Sequence, residues 1–170
     1  MGASAHQDTR TGPSVPAQAA ALAVLLAAAF GSALLGVTAS PDTAGEYARL
    51  ARPDWAPPSA VFGPVWTVLY AAIAVSGWLV WRRGGLRGAA LALFAGQLVL
   101  NALWTPLFFA AGMRGTALVD IVLLLALITA TVAVFSRTSR AAALLLVPYW
   151  AWVAFATALN AAVWWLNRGA

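Results

Sequence analysis

Apolar and polar positions do not alternate along most of this chain; they fall into long apolar runs separated by short polar connections. The runs predict helical spans over about residues 17–39, 59–81, 88–111, 116–135 and 141–166. A hydrocarbon core of about 30 Å takes about 20 helical residues to cross, so each run is long enough. The expected fold is an all-α membrane protein, a five-transmembrane-helix bundle. Residues 1–16 are polar, aperiodic and rich in Pro, Gly and Ser, and read as a disordered tail ahead of a five-helix domain over 17–168. Arg10 before the first run and Val37-Thr38-Ala39 behind it resemble a signal peptide with its cleavage site. The run is longer than the roughly 7–15 residues of such a segment, which favours a retained span. Its small residues Ala19, Ala23, Ala27 and Gly31 form a stripe on which another helix can pack closely.

Composition agrees with the pattern. The chain has 170 residues, of which 62% are hydrophobic and 9% charged, and a mean hydropathy of +0.82. Soluble domains carry roughly a quarter charged residues, so a water-soluble fold is excluded. The pI of about 11.1 comes from a surplus of five charges, and most of the arginines sit at the ends of apolar runs. That placement suits membrane anchoring better than nucleic-acid binding. With no cysteine, and His6 alone in the tail, neither a disulfide nor a His- or Cys-ligated metal inside the membrane is expected. Five spans put the termini on opposite sides. Arg10, Arg82, Arg83, Arg87, Arg137 and Arg140 then share the N-terminal side, against Arg49, Arg52, Arg114 and Arg168. The bias favours a cytoplasmic N-terminus.

Three features hold candidate chemistry. The connection 40–58 is the longest, and contains Asp42, Glu46 and Asp54 with Arg49, Arg52, Tyr47 and Trp55 before Pro57-Pro58. Connections of this length between hydrophobic helices are more often functional than idle. Asp120 is the one ionisable group well inside a span. It is either a functional carboxylate or a group near the helix start that finds a neighbour or the interface. Lastly, three spans show mixed faces at helical spacing. These are Phe62, Trp66, Leu69 and Ile73; Gln97, Asn101, Trp104 and Phe108; and Tyr149, Trp152, Ala156 and Asn160. Amides and phenols turn inward from lipid. The faces describe either a pocket for a flat, mostly apolar ligand or amide glue between packed helices. No carboxylate pair, phosphate loop or Ser/His constellation suggests hydrolysis or phosphoryl transfer.

Four blocks then occur in order: Trp55-Ala-Pro-Pro; Phe62-Gly-Pro-Val-Trp66-Thr-Val-Leu-Tyr70; Gln97-Leu-Val-Leu-Asn101-Ala-Leu-Trp104-Thr-Pro-Leu-Phe-Phe109; and Pro148-Tyr149-Trp-Ala-Trp152-Val-Ala-Phe-Ala156-Thr-Ala-Leu-Asn160. Together they resemble the translocator protein (TspO/MBR) family, which includes bacterial tryptophan-rich sensory proteins and the mitochondrial peripheral-type benzodiazepine receptor. The likeness extends from about Tyr47 to Asn167.

The resemblance implies a five-helix bundle, usually a homodimer, that binds porphyrins and synthetic aromatic ligands beneath the first loop. Carried over by position, the ligand site comprises Tyr47, Pro57, Phe62, Trp66, Asn101, Trp104, Phe108, Trp152 and Ala156. Trp66 and Trp152 match the pair linked in the family to light-dependent porphyrin breakdown, and are catalytic only if that activity applies. Animal members have a sterol pattern in the last helix; here its Tyr and Arg positions are Ala161 and Trp165, so sterol recognition is not expected. No obligatory cofactor is implied, porphyrin or haem being a ligand; Arg49 and Arg52 are candidate partners for its carboxylates, or else interfacial anchors or partners of Glu46 and Asp54. The expected function is a tetrapyrrole-binding sensor or regulator in a bacterial cell membrane. A porphyrin transporter and a light-dependent protoporphyrin-degrading enzyme are the alternatives.

Overall fold

The computed structural model describes residues 12–169. Residues 1–11, with His6, Arg10 and most of the expected tail, lie outside the described residues. Helix α1 spans Val15–Thr38, so it starts two residues ahead of the apolar run. Ser14 caps it through the amide of Ala17 at 3.5 Å. The connection that follows contains a short helix, α2 (Thr43–Arg49), started by Asp42, whose carboxylate accepts from the Gly45 amide at 3.2 Å. A 3-10 turn over Ser59–Val61 leads into α3 (Phe62–Trp81). Next come α4 (Ala89–Thr105), α5 (Arg114–Ser136), α6 (Arg140–Leu145) and α7 (Val147–Asn167).

Two prolines shape these helices by the donor they lack. Pro106 begins a wide π turn, Pro106–Ala110, closed by the Ala111 amide on the Pro106 carbonyl at 2.8 Å. Pro148 lies at the start of α7, so the last span is two helices meeting at Leu146. Gly112, at φ +64°, supplies the left-handed residue that turns the chain from the π turn into α5.

Five segments are long and apolar enough to cross a membrane: Val15–Thr38, Ser59–Trp81, Ala89–Ala110, Arg114–Ser136 and Arg140–Asn167. No strand occurs among the described residues. They close into a ring in which α1 packs on α3 and α4, α4 on α5, and α5 on α6 and α7, with α3 completing the circuit against α6 and α7. Apolar side chains such as Val24, Leu34, Val68, Val99, Leu123 and Leu144 remain exposed around the outside. A bundle that is hydrophobic on its outer faces as well as in its core is one solvated by lipid. The chain is an integral membrane protein.

On the N-terminal side the centre is filled by Ile73, Ala74, Val80, Phe94, Ile128 and Phe135. Lipid tails are as apolar as leucine, so close contact and hydrogen bonds hold helices together here. A Cβ at Gly77 would lie 2.8 Å from the Phe94 ring. The Ser76 hydroxyl donates to the Ala142 carbonyl at 2.8 Å, and the Trp78 indole to the Gln18 carbonyl at 3.0 Å. On α1 the buried face is Leu25, Ala29, Ser32 and Gly36. The small stripe lies elsewhere: Ala19, Ala23 and Ala27 are exposed, and a Cβ at Gly31 would meet nothing within 4 Å.

Candidate functional site

The loop-side end of the bundle is built from aromatic rings, and the 40–58 connection lies on it. Within α2, Tyr47 is buried, and its hydroxyl donates to the Pro57 carbonyl at 3.0 Å. That bond ties the start of the connection to its end. The Tyr47 ring meets Phe62 edge-on at 5.3 Å, Phe62 meets Trp152 at 5.9 Å, and Trp152 meets Phe155 at 5.4 Å. Trp55 from the connection closes on Phe155 at 5.7 Å. An unbroken path of ring contacts thus runs from the loop through α3 to α7 and back to the loop.

One turn deeper lies a second group. Trp66 stacks on Tyr70 at 5.3 Å and meets Tyr149 edge-on at 6.2 Å. Asn101 connects the two phenols: Tyr70 donates to its Oδ1 at 3.3 Å, and its Nδ2 donates to the Tyr149 oxygen at 2.9 Å. This small buried network orients the floor beneath Trp66. The third group belongs to α4 and its π turn. Trp104 stacks on Phe108 at 4.9 Å, and its indole donates to Asn160 Oδ1 at 3.0 Å. Asn160 in turn donates to the Arg114 carbonyl at 2.9 Å. Ala156, like Trp66, Trp104 and Trp152, is partly buried and packs against the main core.

The residues expected from sequence therefore fall into linked groups instead of one open cavity. Tyr47, Pro57, Phe62 and Trp152 are brought together under the loop; Trp66 and Asn101 form the layer below; Trp104 and Phe108 flank it. Sequence spacing missed Tyr70 and Phe155. Each lies one helical turn from a residue that was singled out, Tyr70 four after Trp66 and Phe155 three after Trp152. Outside this layer, over the outer surface of the connection, is a concavity of about 490 Å³ lined by Leu50, Arg52, Pro53, Asp54, Ala56, Pro57 and Pro58.

The candidate carboxylate partners differ. Arg49 is held by Asp42 at 2.6 Å and Glu46 at 2.8 Å on an exposed surface. The hydrogen bonds it donates to Glu46, first, and to Asp42, second, raise its pKa above the ordinary arginine value. Its charge is already neutralised locally, and Asp54 takes no part. Arg52 lies over the Tyr47 ring, 4.6 Å from its centre, and lines the outer concavity. It makes no salt bridge among the described residues.

A few buried polar atoms have no partner. They include the Trp152 indole nitrogen, Asp120 Oδ2 and both amide atoms of Gln97. Asp120 is buried in α5 with no hydrogen bond to a neighbouring helix. An unpaired donor or acceptor in such a place costs about 1–3 kcal/mol. The 40–58 connection is also clasped from outside. Asn167, at the end of α7, accepts from the Ala51 amide at 3.1 Å and donates to the Ala51 carbonyl at 2.9 Å.

Comparison with known proteins identifies the arrangement. Residues 21–166 match the TspO/MBR family. The human Translocator protein is 46% identical over 127 residues, covering 72% of this chain and 75% of that protein. The Tryptophan-rich protein TspO of Chlorobaculum tepidum is 41% identical over 152 residues, 86% of this chain and 94% of the relative. The Tryptophan-rich sensory protein of Cereibacter sphaeroides is 38% identical over 135 residues, 79% and 84% of the two chains. With the aromatic layer of α3, α4 and α7 lying inside the matched region, the chain belongs to the TspO/MBR family.

Proposed function

We propose that this protein binds a tetrapyrrole, a porphyrin or haem, in the aromatic layer beneath the 40–58 connection, and acts as a sensor or regulator of tetrapyrrole levels. The observation that carries the reading is the ring path Tyr47–Phe62–Trp152–Phe155–Trp55, a continuous series of aromatic contacts from loop to spans and back. Ring-on-ring packing is readily exchanged for packing on a flat aromatic ligand, because offset and edge contacts are similar in energy. The ligand separates the lid from the spans, and Trp66, Trp104 and Trp152 stack against it. Arg52 is the cation left for an acidic side chain of the ligand. Binding by stacking needs no metal ligand, so metal-free porphyrin and haem both bind.

In this reading the N-terminus is cytoplasmic and the lid faces outward, which the arginine bias supports, and the membrane is a bacterial cell membrane. A homodimer through the exposed small stripe of α1 accompanies this reading. Sterol recognition is not part of this reading.

Titration of detergent-purified protein against protoporphyrin, haem and a sterol tests the reading. Tetrapyrroles quench tryptophan fluorescence saturably and the sterol does not. The double substitution Trp66→Ala, Trp152→Ala removes two large stacking surfaces and weakens protoporphyrin binding at least about 100-fold. Unchanged quenching in the double variant contradicts the site. Protein-dependent porphyrin flux in proteoliposomes would favour a transporter over a sensor. Light-dependent product that requires Trp66 or Trp152 would favour an enzyme.

A further inference from the structure

Away from the aromatic layer, the start of α5 and the end of α7 form a second concavity at the loop-side rim. It encloses about 430 Å³ and is lined by Gly112, Met113, Arg114, Gly115, Thr116, Trp164, Asn167 and Arg168. Two guanidiniums from different spans line it, and no carboxylate does. Neither Arg114 nor Arg168 makes a salt bridge among the described residues. Arg114 Nε is buried without an acceptor, which leaves a charged donor short of its hydrogen bond. No side chain caps α5, whose preceding residue is Met113. The Arg114 amide is taken by the Gly112 carbonyl at 2.9 Å, and the amides that follow it in that 23-residue helix add donors and positive potential to the same rim. Asn167 is already engaged with Ala51, so the lining is donor-rich and acceptor-poor.

We infer that this rim is an anion site for the phosphate group of a membrane phospholipid, pairing Arg114 and Arg168 across the gap between α5 and α7. A planar carboxylate is satisfied by a single guanidinium fork. Two guanidiniums on separate helices, together with backbone amides, converge from several directions and suit a tetrahedral oxyanion. The level in the bilayer selects the source. Trp164 and Trp165 occupy the same helix end, and Arg168 lies over the Trp165 ring at 3.0 Å. Tryptophan and arginine together mark the headgroup region, where phosphodiesters are the abundant anion. Exposed Met113 and Trp164 give the glycerol and upper acyl chain an apolar wall. The inference does not rest on the tetrapyrrole reading, although Asn160 connects the Arg114 carbonyl to Trp104 and Asn167 holds Ala51 of the lid.

The test uses the full chain in detergent, with dioctanoyl phosphatidylglycerol and inorganic phosphate as separate probes. Lipid retention is read by native mass spectrometry, and stabilisation by melting temperature. The wild type retains one phosphatidylglycerol that Arg114→Gln, Arg168→Gln loses, with affinity falling about tenfold or more. The charge-matched control Arg82→Gln, Arg87→Gln, on the opposite face, retains it. Should the double variant fail to fold, Arg168→Gln alone, at an exposed helix end, is expected to lose about threefold. Saturable stabilisation by inorganic phosphate without lipid retention, absent from the double variant, would support the anion site and overturn its lipid occupant. Equal lipid binding by the wild type and the Arg114/Arg168 variants, or equal loss in the control, would overturn the proposal.

Discussion

The two ends of the bundle are built by different means. On the N-terminal side, apolar groups interlock at short range, as Gly77 does with Phe94, and, apart from Trp150 on Thr129, the hydrogen bonds between spans run from side chains to backbone carbonyls. Ser76 bonds Ala142 there, Trp78 bonds Gln18 and Arg83 bonds Thr138. On the loop side, rings rest on rings, and the bonds between spans are largely among side chains, as in Tyr70–Asn101–Tyr149 and Trp104–Asn160. The unpartnered Trp152 nitrogen, Asp120 Oδ2 and Arg114 Nε belong to this end too, with Gln97 at the boundary. Backbone-anchored packing has one good solution, whereas ring packing and unfilled hydrogen bonds can be satisfied by an incoming molecule. One end fixes the fold; under the proposed function the other exchanges its contacts for a ligand.

That contrast can be broken by substitutions at each end. The largest loss of stability is expected for Gly77→Leu, which drives a side chain into Phe94 and costs about 3 kcal/mol. Its refolding equilibrium in detergent should shift accordingly, while the folded fraction binds protoporphyrin normally; weakened binding at unchanged stability would contradict the division. Asn101→Leu comes next. It strands the Tyr70 and Tyr149 hydroxyls in the bundle, at about 1–3 kcal/mol, and loosens the floor under Trp66, so stability and affinity both fall. A change in stability alone would put Asn101 with the fixed end. A smaller effect, about 1 kcal/mol, is expected for Asn167→Ala, which releases Ala51. Stopped-flow quenching should show faster association and faster dissociation of porphyrin, the signature of a freer lid. Tyr47→Phe keeps the ring and loses one hydrogen bond to Pro57, with at most about 1 kcal/mol of effect on affinity.

The spans could be read from the sequence because lipid leaves a helix almost no freedom: an apolar run of sufficient length must form one. The pieces that escaped are those where a local detail overrides the run. Helix α2 is seven residues, too short to show a period, and only Asp42 as its cap signals it. Apolar residues surround Pro106 and Pro148, and what each proline does, a wide turn in one place and a break in the other, depends on packing the run does not encode.

Within the site, helical spacing put Asn101 and Gln97 on one face, yet Asn101 has both partners and Gln97 neither. Those partners, Tyr70 and Tyr149, lie 31 and 48 residues away, and only the fold brings them together. Arg49 and Arg52 looked equivalent for the same reason. Asp42 and Glu46 neutralise one, while the other is left over an aromatic ring. The small-residue stripe of α1 was the least informative: Ala19, Ala23 and Ala27 are exposed and a Cβ at Gly31 would meet nothing within 4 Å.

The division between a fixed end and an exchanging end is tested most directly by one set of parallel protoporphyrin titrations. Wild type, Trp66→Ala/Trp152→Ala and Gly77→Leu are compared by fluorescence quenching, each normalised to its folded fraction. The account predicts that the tryptophan pair loses at least about 100-fold in affinity while Gly77→Leu stays within about twofold of wild type. Equal losses in the two variants, or none in the tryptophan pair, would contradict it.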